Sequence, residues 1–368
     1  MRPIPNQQRA PAPGSARPVR VAPSTAAVAI TSLVVATALA LLLASLPEAQ
    51  AKTVEKPPKF KDVTVTRVAP QTEPGADPTT FILDCPSDTT PVWIVTEARR
   101  AEAQGGFMPS NSIPGLAALG LLDATSAGVG VFNTTAGPVE IRITFRCVRR
   151  KTGGKVGRVG FVAKLLPPDE DPETFAETVG VAPGERLDAT VEGGRKLVPV
   201  GSTVSPAAVS AGFSIYEYVR SLTFSRSGFS VTLANPGSLL QSFALQPIFL
   251  RRKANVKRKG RGGREVVDRA TVARKLKAKP SVLRRTKTSK VKSHGSTGKT
   301  QTVSARCPKS HLVTGWGWDA RDAGSVDVTL RSAPEFWKRK VSFEASNSGG
   351  SAHRMALTAI CLAVKVRG

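Results

Sequence analysis

Cys307, His311, His353 and Cys361 are spaced as Cys-x3-His and His-x7-Cys, and these ligand types suit zinc. The segment ARCPKSHLVTGWGW, residues 305–318, packs the first two of them beside Trp316 and Trp318. A second cysteine pair, Cys85 and Cys147, encloses no histidine. A role common to both pairs is therefore not a Cys2His2 site, and no metal and no cofactor are expected. Trp316 and Trp318 alternate with glycine, so they share one face of a strand. They read as a core or half-buried pair, with an exposed aromatic platform as the alternative.

Two other stretches imitate chemical sites. SHGSTGKT, residues 293–300, resembles a phosphate-binding P-loop, but Ser293 stands where the first glycine is required. LPPDEDPETFAE, residues 166–177, clusters carboxylates that could serve hydrolysis or calcium binding. It lacks the EF-hand spacing and glycine, and reads as a solvated linker entering a short helix at Asp171-Pro172-Glu173-Thr174. G-x-S-x-G, H-E-x-x-H and C-x-x-C are absent. No catalytic residue is therefore assigned. Asn133-Thr134-Thr135 is a formal glycosylation sequon on a turn.

The strongest chemical signal is charge. The formal net charge is +26, and residues 251–300 hold 19 Lys or Arg against Glu265 and Asp268 alone. Candidate polyanion contacts there are Arg251, Arg252, Lys253, Lys257, Arg258, Lys259 and Arg261. They continue through Arg264, Arg274, Lys275, Lys277, Lys279, Arg284 and Arg285. Dense positive charge attracts any phosphate- or carboxylate-bearing polymer. The run has no aromatic residue, which argues against base stacking and single-strand recognition. The competing reading is a solvated linker, with a modest helix over REVVDRATVARKLKA that sets Val266, Ala270, Ala273 and Leu276 on one side.

The elements that carry these residues follow from pattern. Arg2, Arg9, Arg17 and Arg20 precede an uncharged run over 26–46, and Ala49-Gln50-Ala51 ends it in a small-x-small sequence. Residues 1–51 thus read as a signal peptide, or as an N-terminal membrane anchor, since about 20 apolar residues can span a bilayer. Either places the remainder outside the cytoplasm. All four cysteines lie beyond residue 51, as an oxidising compartment favours.

Three copies of one unit follow. VFNTTAGPVEIRITFRC ends at Cys147, LANPGSLLQSFALQPIF at Phe249 and ASNSGGSAHRMALTAIC at Cys361. Each has an asparagine 14 residues before its last position, Asn133, Asn235 and Asn347, with a glycine close behind. That is turn chemistry between strands. Ile141, Ile143, Phe145 and Cys147 share one face of a strand, with Arg142, Thr144 and Arg146 opposite. Trp93 lies eight residues after Cys85 and Trp316 nine after Cys307, while Val200 lies nine after Val191. The middle copy is thus expected to replace its cysteine pair by Val191 and Phe249.

The repeats imply intra-copy bridges, Cys85–Cys147 and Cys307–Cys361, among three possible connectivities. Each closes a long loop and contributes roughly 4 kcal/mol in the chain-entropy model. The expected fold is all-β, with tandem sandwich-like repeats at 52–160, 161–250 (cysteine-less) and 301–368, and a basic linker or insert at 251–300. The Cys-Pro, Gly-Trp and distant-Cys frame over 80–150 and 300–366 resembles uncharacterised β-rich domains of exported bacterial proteins. That resemblance implies no activity. The expected function is an exported, non-enzymatic envelope structural or binding protein. Its expected partners are anionic cell-envelope polymers or a membrane surface. An extracellular hydrolase and a non-specific nucleic-acid binder are the alternatives.

Overall fold

Ile141, Ile143 and Phe145 are fully buried, as their alternation requires, and the same rule shapes nearly every element of the chain. The computed structural model describes residues 52–368 except 74–75, 101–105, 111–112, 114, 124, 157–158, 166–176, 207–217, 260–264, 267–275, 294–298, 321–327 and 331–333. The signal or anchor segment, the acidic cluster's residues 166–176 and the expected helix at 171–174 lie outside the described residues. So does most of the expected helix within 264–278; its described ends belong to strands or lie beside one.

After β1 (Thr53–Lys56), repeat one comprises β2 (Phe60–Ala69), β3 (Thr79–Asp84), β4 (Thr89–Arg100), the short β5 (Met108–Pro109), β6 (Leu116–Leu122), β7 (Ser126–Asn133) and β8 (Val139–Arg149). A hairpin follows, β9 (Lys151–Val156) and β10 (Val159–Lys164). Repeat two comprises β11 (Glu177–Val181), β12 (Arg186–Glu192), β13 (Leu197–Pro206), β14 (Val219–Phe224), β15 (Gly228–Ala234) and β16 (Gln241–Arg251). Next come β17 (Asn255–Lys259) and β18 (Glu265–Val266). Repeat three comprises β19 (Lys277–Val291), β20 (Gln301–Arg306), β21 (Leu312–Asp319), β22 (Val328–Leu330), the short β23 (Glu335–Phe336), β24 (Lys340–Asn347) and β25 (His353–Arg367).

The pairing repeats strand for strand. In one sheet of each sandwich the last long strand, β8, β16 or β25, lies between β2 and β4, β11 and β13, or β19 and β21. In the other, β7, β15 or β24 lies between β3 and β6, β12 and β14, or β20 and β22. The repeated asparagines join the two sheets. Asn133 donates its side-chain amide to the carbonyls of Ala69 and Gly137, Asn235 to Val181 and Leu239, and Asn347 to Val291 and Ser351. Each also accepts from the backbone N–H two residues on. All three are buried, so this clamp holds the end of the first strand of every repeat to the final turn.

Three expectations are corrected by this register. First, residues 251–300 do not form a linker where they are described. β19 is the opening strand of repeat three, paired along its whole length with β25, and Val291 at its end meets Asn347 as Ala69 meets Asn133. Deleting 251–300 would strip that strand away. Second, the counterpart of Cys85 and Cys307 is Gly193. All three follow directly after the second strand of their repeat, and each donates its N–H to the residue preceding the penultimate strand, Thr125, Ser227 and Arg339. Val191 instead matches Leu83 and Ala305. Third, Trp93 matches Gly201 and Gly315, not Trp316, because all three follow a bulge at the same place in their strands.

Those bulges meet. A side chain on Gly201 would collide with the carbonyl of Val92, and one on Gly315 would lie 3.0 Å from the Val200 oxygen and 2.9 Å from Gly201 itself. β4, β13 and β21 thus touch one another pairwise at a common hub. Around it, repeats two and three share one apolar core, where Phe229 and Leu233 join Phe343 and Leu357. β14 also pairs with β21. Ala51–Gly368 is one compact unit, so the repeats are not separate bodies.

Repeats one and two meet through Gln246, whose amide donates to the Leu122 carbonyl at 2.7 Å and accepts from the Leu122 N–H at 2.9 Å. Repeats one and three meet through Arg146. Its guanidinium, wholly buried, grips Asp62 with Nε at 2.6 Å and Nη2 at 2.7 Å, and its Nη1 donates to the carbonyls of Val313 and Trp337. Phe60 and Trp93 flank it, and Trp93 stacks on Phe336 at 4.0 Å. The strand face opposite Ile143 and Phe145 is therefore also interior at Arg146, where repeat three covers it.

Two outcomes follow. Phe249 fills the space of the missing bridge, since a Cβ on Gly193 would lie 2.6 Å from its ring. Gly193→Cys combined with Phe249→Cys should form a third disulfide, visible as a two-proton mass loss that reduction reverses, whereas G193A alone should destabilise by about 1–3 kcal/mol through overpacking. R146A should destabilise by about 3–5 kcal/mol, because it strands two buried carbonyls and Asp62. Denaturant unfolding of R146A, D62A and the double variant should show strong non-additivity.

Candidate polyanion interface

The basic candidates distribute over two sheets. Arg251 ends β16, and Lys257, Arg258 and Lys259 lie on β17, which pairs with β10 in a small sheet of its own. Lys277, Lys279, Arg284 and Arg285 lie on β19, and an Ala254–Ala278 bridge joins the two groups. Arg261, Arg264, Arg274 and Lys275 lie outside the described residues.

Among the described residues β19 is an edge strand, laddered with β25 and touched on its outer side by the single Ala254–Ala278 bridge. Its alternation sends Lys277, Lys279, Arg285 and Lys287 to one face and Arg284 and Lys290 to the other. All six are exposed. On the first face, Lys277 lies opposite Arg367 and Lys279 opposite Lys365. Like charges facing across strands are unfavourable. Glu55 on β1 offsets part of this, 3.5 Å from the Lys365 ammonium. In repeat one, the positions of Arg285 and Lys287 are Val63 and Val65, both packed against the core. Repeat three has exchanged apolar contacts for a row of cations along an open sheet edge.

The other candidates are framework. Cys85–Cys147 and Cys307–Cys361 are disulfides with Cα separations of 5.7 and 5.5 Å, which leaves no thiolate for a metal. Trp318 is buried, and Trp316 stacks on it at 4.9 Å and meets Phe343 at 5.5 Å. The tryptophans thus line the core of repeats two and three and form no surface platform. The Asn133 amide spends its N–H groups on backbone carbonyls inside the fold, so the sequon is closed to a glycosyl carrier in the folded chain. Residues 294–298 of the P-loop-like stretch lie outside the described residues. A cavity of about 20 Å³ bordered by Val92, Val148, Leu250 and Leu362 has room for about one water. Among the described residues, no helix is long and apolar enough to cross a membrane.

Sequence reasoning missed Arg226, in the turn before β15, because it lies outside the 251–300 run. Its signal was the sequence SRSG, a cation at the tip of a Ser-Gly turn. Comparison of the chain with protein-family models and with curated proteins gives no match.

His311 sits beside the second disulfide, with Nδ1 2.9 Å from the Ser310 hydroxyl and Nε2 buried without a hydrogen bond. Burial pushes its pKa below the usual histidine value; Glu55 opposes this and Arg285 adds to it. The unfolded chain therefore binds the proton first as pH falls. Its contribution is complete above about pH 6.5 and is lost below it, towards the lowered folded value. The expected result is a wild-type melting temperature that drops between about pH 7 and 5, with a smaller drop in H311Q.

Proposed function

We propose that this chain is an exported, non-enzymatic protein of the cell envelope that holds anionic polymers against the open face of β19. The observation that carries the reading is the row of Lys277, Lys279, Arg285 and Lys287 on an edge strand, with Lys365 and Arg367 alongside. Two disulfides and no free cysteine suit an oxidising compartment. The leader-like residues 1–51 supply the route, by cleavage or by anchoring. A strand presenting two pairs of cations, Lys277 with Lys279 and Arg285 with Lys287, each about 6.8 Å apart and separated by Ser281 and Leu283, suits an extended polymer that carries several anions.

Such binding is driven by counterion release, so it weakens steeply with salt and discriminates little among polyanions. The quadruple variant K277Q/K279Q/R285Q/K287Q removes exposed side chains and keeps the strand. On a column of phosphate-bearing anionic polymer, wild type should elute later than the variant, and the slope of log affinity against log salt should fall by about three to four in the variant. Equal elution would leave β19 a structural strand alone. Retention on duplex DNA that survives high salt and depends on sequence would favour a nucleic-acid role instead.

A further inference from the structure

Two arginines perform the same act at two seams. Arg146 of repeat one reaches repeat three and donates to the Trp337 carbonyl at 3.1 Å. Arg284 of repeat three reaches repeat two and donates to the Ser225 carbonyl at 2.6 Å. Trp337 and Ser225 are equivalent residues: each opens the turn before the penultimate strand and donates its own N–H across it, to Lys340 and Gly228.

The counter-charge is what differs. At the first seam the Asp62 carboxylate neutralises Arg146 in a two-pronged ion pair. Asp62 stands opposite Arg146 in its sheet, and Arg284 stands opposite Ile360, where Arg146 and Ile360 each precede a bridge cysteine. Arg284 thus occupies the place of Asp62, and the acid of one seam is a base at the other. Two further guanidiniums join it. Arg226 is in the same turn, and Arg252 donates Nη2 to the Arg226 carbonyl at 2.8 Å while its Nε is buried without a partner. None of the three forms an ion pair with a described carboxylate, and Glu192, opposite Gly228 on the neighbouring strand, forms none either. Burial, then the charges of Arg226 and Arg252, hold the Arg284 pKa below its ordinary value. Three like charges gathered without compensation leave the seam short of an anion.

We propose that the seam between repeats two and three binds a phosphate or sulfate group, seated among Arg226, Arg252 and Arg284. An oxoanion there does for Arg284 what the Asp62 carboxylate does for Arg146. The Ser225 carbonyl occupies Nη1 of Arg284, which fixes its plane and leaves its Nε–Nη2 edge for a forked contact to oxygen, while Arg252, whose Nη2 is held by the Arg226 carbonyl, adds its charge from behind. Arg226 closes the third side. The site deepens the polymer reading and rests on it for the source of the anionic group, but it is a discrete cluster on the strand face opposite the Lys277–Lys287 row.

The full chain is titrated with inorganic phosphate, pyrophosphate and sulfate at constant ionic strength, with chloride as the reference, followed by calorimetry and by the arginine Nε signals. Saturable one-site binding and a raised melting temperature are expected. R226Q removes a side chain that makes no hydrogen bond among the described residues, so it should fold normally and bind roughly tenfold more weakly. R67Q, which removes an exposed arginine on β2 of repeat one, should bind as wild type does. Absence of saturation beyond the chloride reference, or equal weakening by R226Q and R67Q, would overturn the site. A parallel arm uses the phosphate-bearing polymer column: intact phosphate titration with no polymer retention sinks the polymer reading and leaves the site standing.

Discussion

Three backbones have to approach one another at the hub, and the rest of the molecule is arranged around that constraint. Each central strand carries a bulge at the same point, at Val92, Val200 and Thr314. A bulge turns a strand and frees its carbonyls from the ladder, and two of the three residues that follow are glycines with no room for a side chain. Trp93, the third, turns its ring outward to the Phe336 seam. The sandwiches are thus held together at their least substituted point, where large side chains would drive them apart.

Away from the hub each seam is solved differently. Gln246 imitates a strand neighbour by offering Leu122 one donor and one acceptor. β14 and β21 pair outright. Arg146 uses charge, buried but matched by Asp62 and two carbonyls, which is the condition under which a buried guanidinium is tolerated. A chain of three unlike copies can do this, since each seam is free to diverge. Three identical copies would face one seam chemistry repeated.

Much of the framework could be read from residues alone. The 14-residue asparagine spacing marked the repeats because the clamp needs an amide at one backbone position in every copy, and the cysteine pairing followed from it. The sequence was least legible where one copy had changed the physical solution. In β19, Arg285 and Lys287 replaced the Val63 and Val65 of repeat one, so an opening strand looked like solvated charge. In the middle copy the bridge became a glycine facing a phenylalanine, and matching by apolar type selected Val191 in place of Gly193. The burial of Arg146 could not be read, because alternation describes a single sheet and knows nothing of a neighbouring repeat laid over it. The arginine cluster joins positions 226, 252 and 284, which no local pattern connects.

The pairing of β1 with β25 sets Thr53 opposite Arg367 and Lys56 opposite Val364. The earliest strand of the unit therefore has its partner among the latest residues. A chain delivered from its N-terminus, through a pore or from a ribosome, can close the sandwich of repeat one early, yet must hold β1 and the Arg146 seam open until repeat three arrives. Contacts this distant along the chain form slowly. Assembly then has a built-in order, in which the last strand acts as the latch and a prematurely halted chain stays visibly unfinished, with an unpaired edge and a buried-type arginine in water.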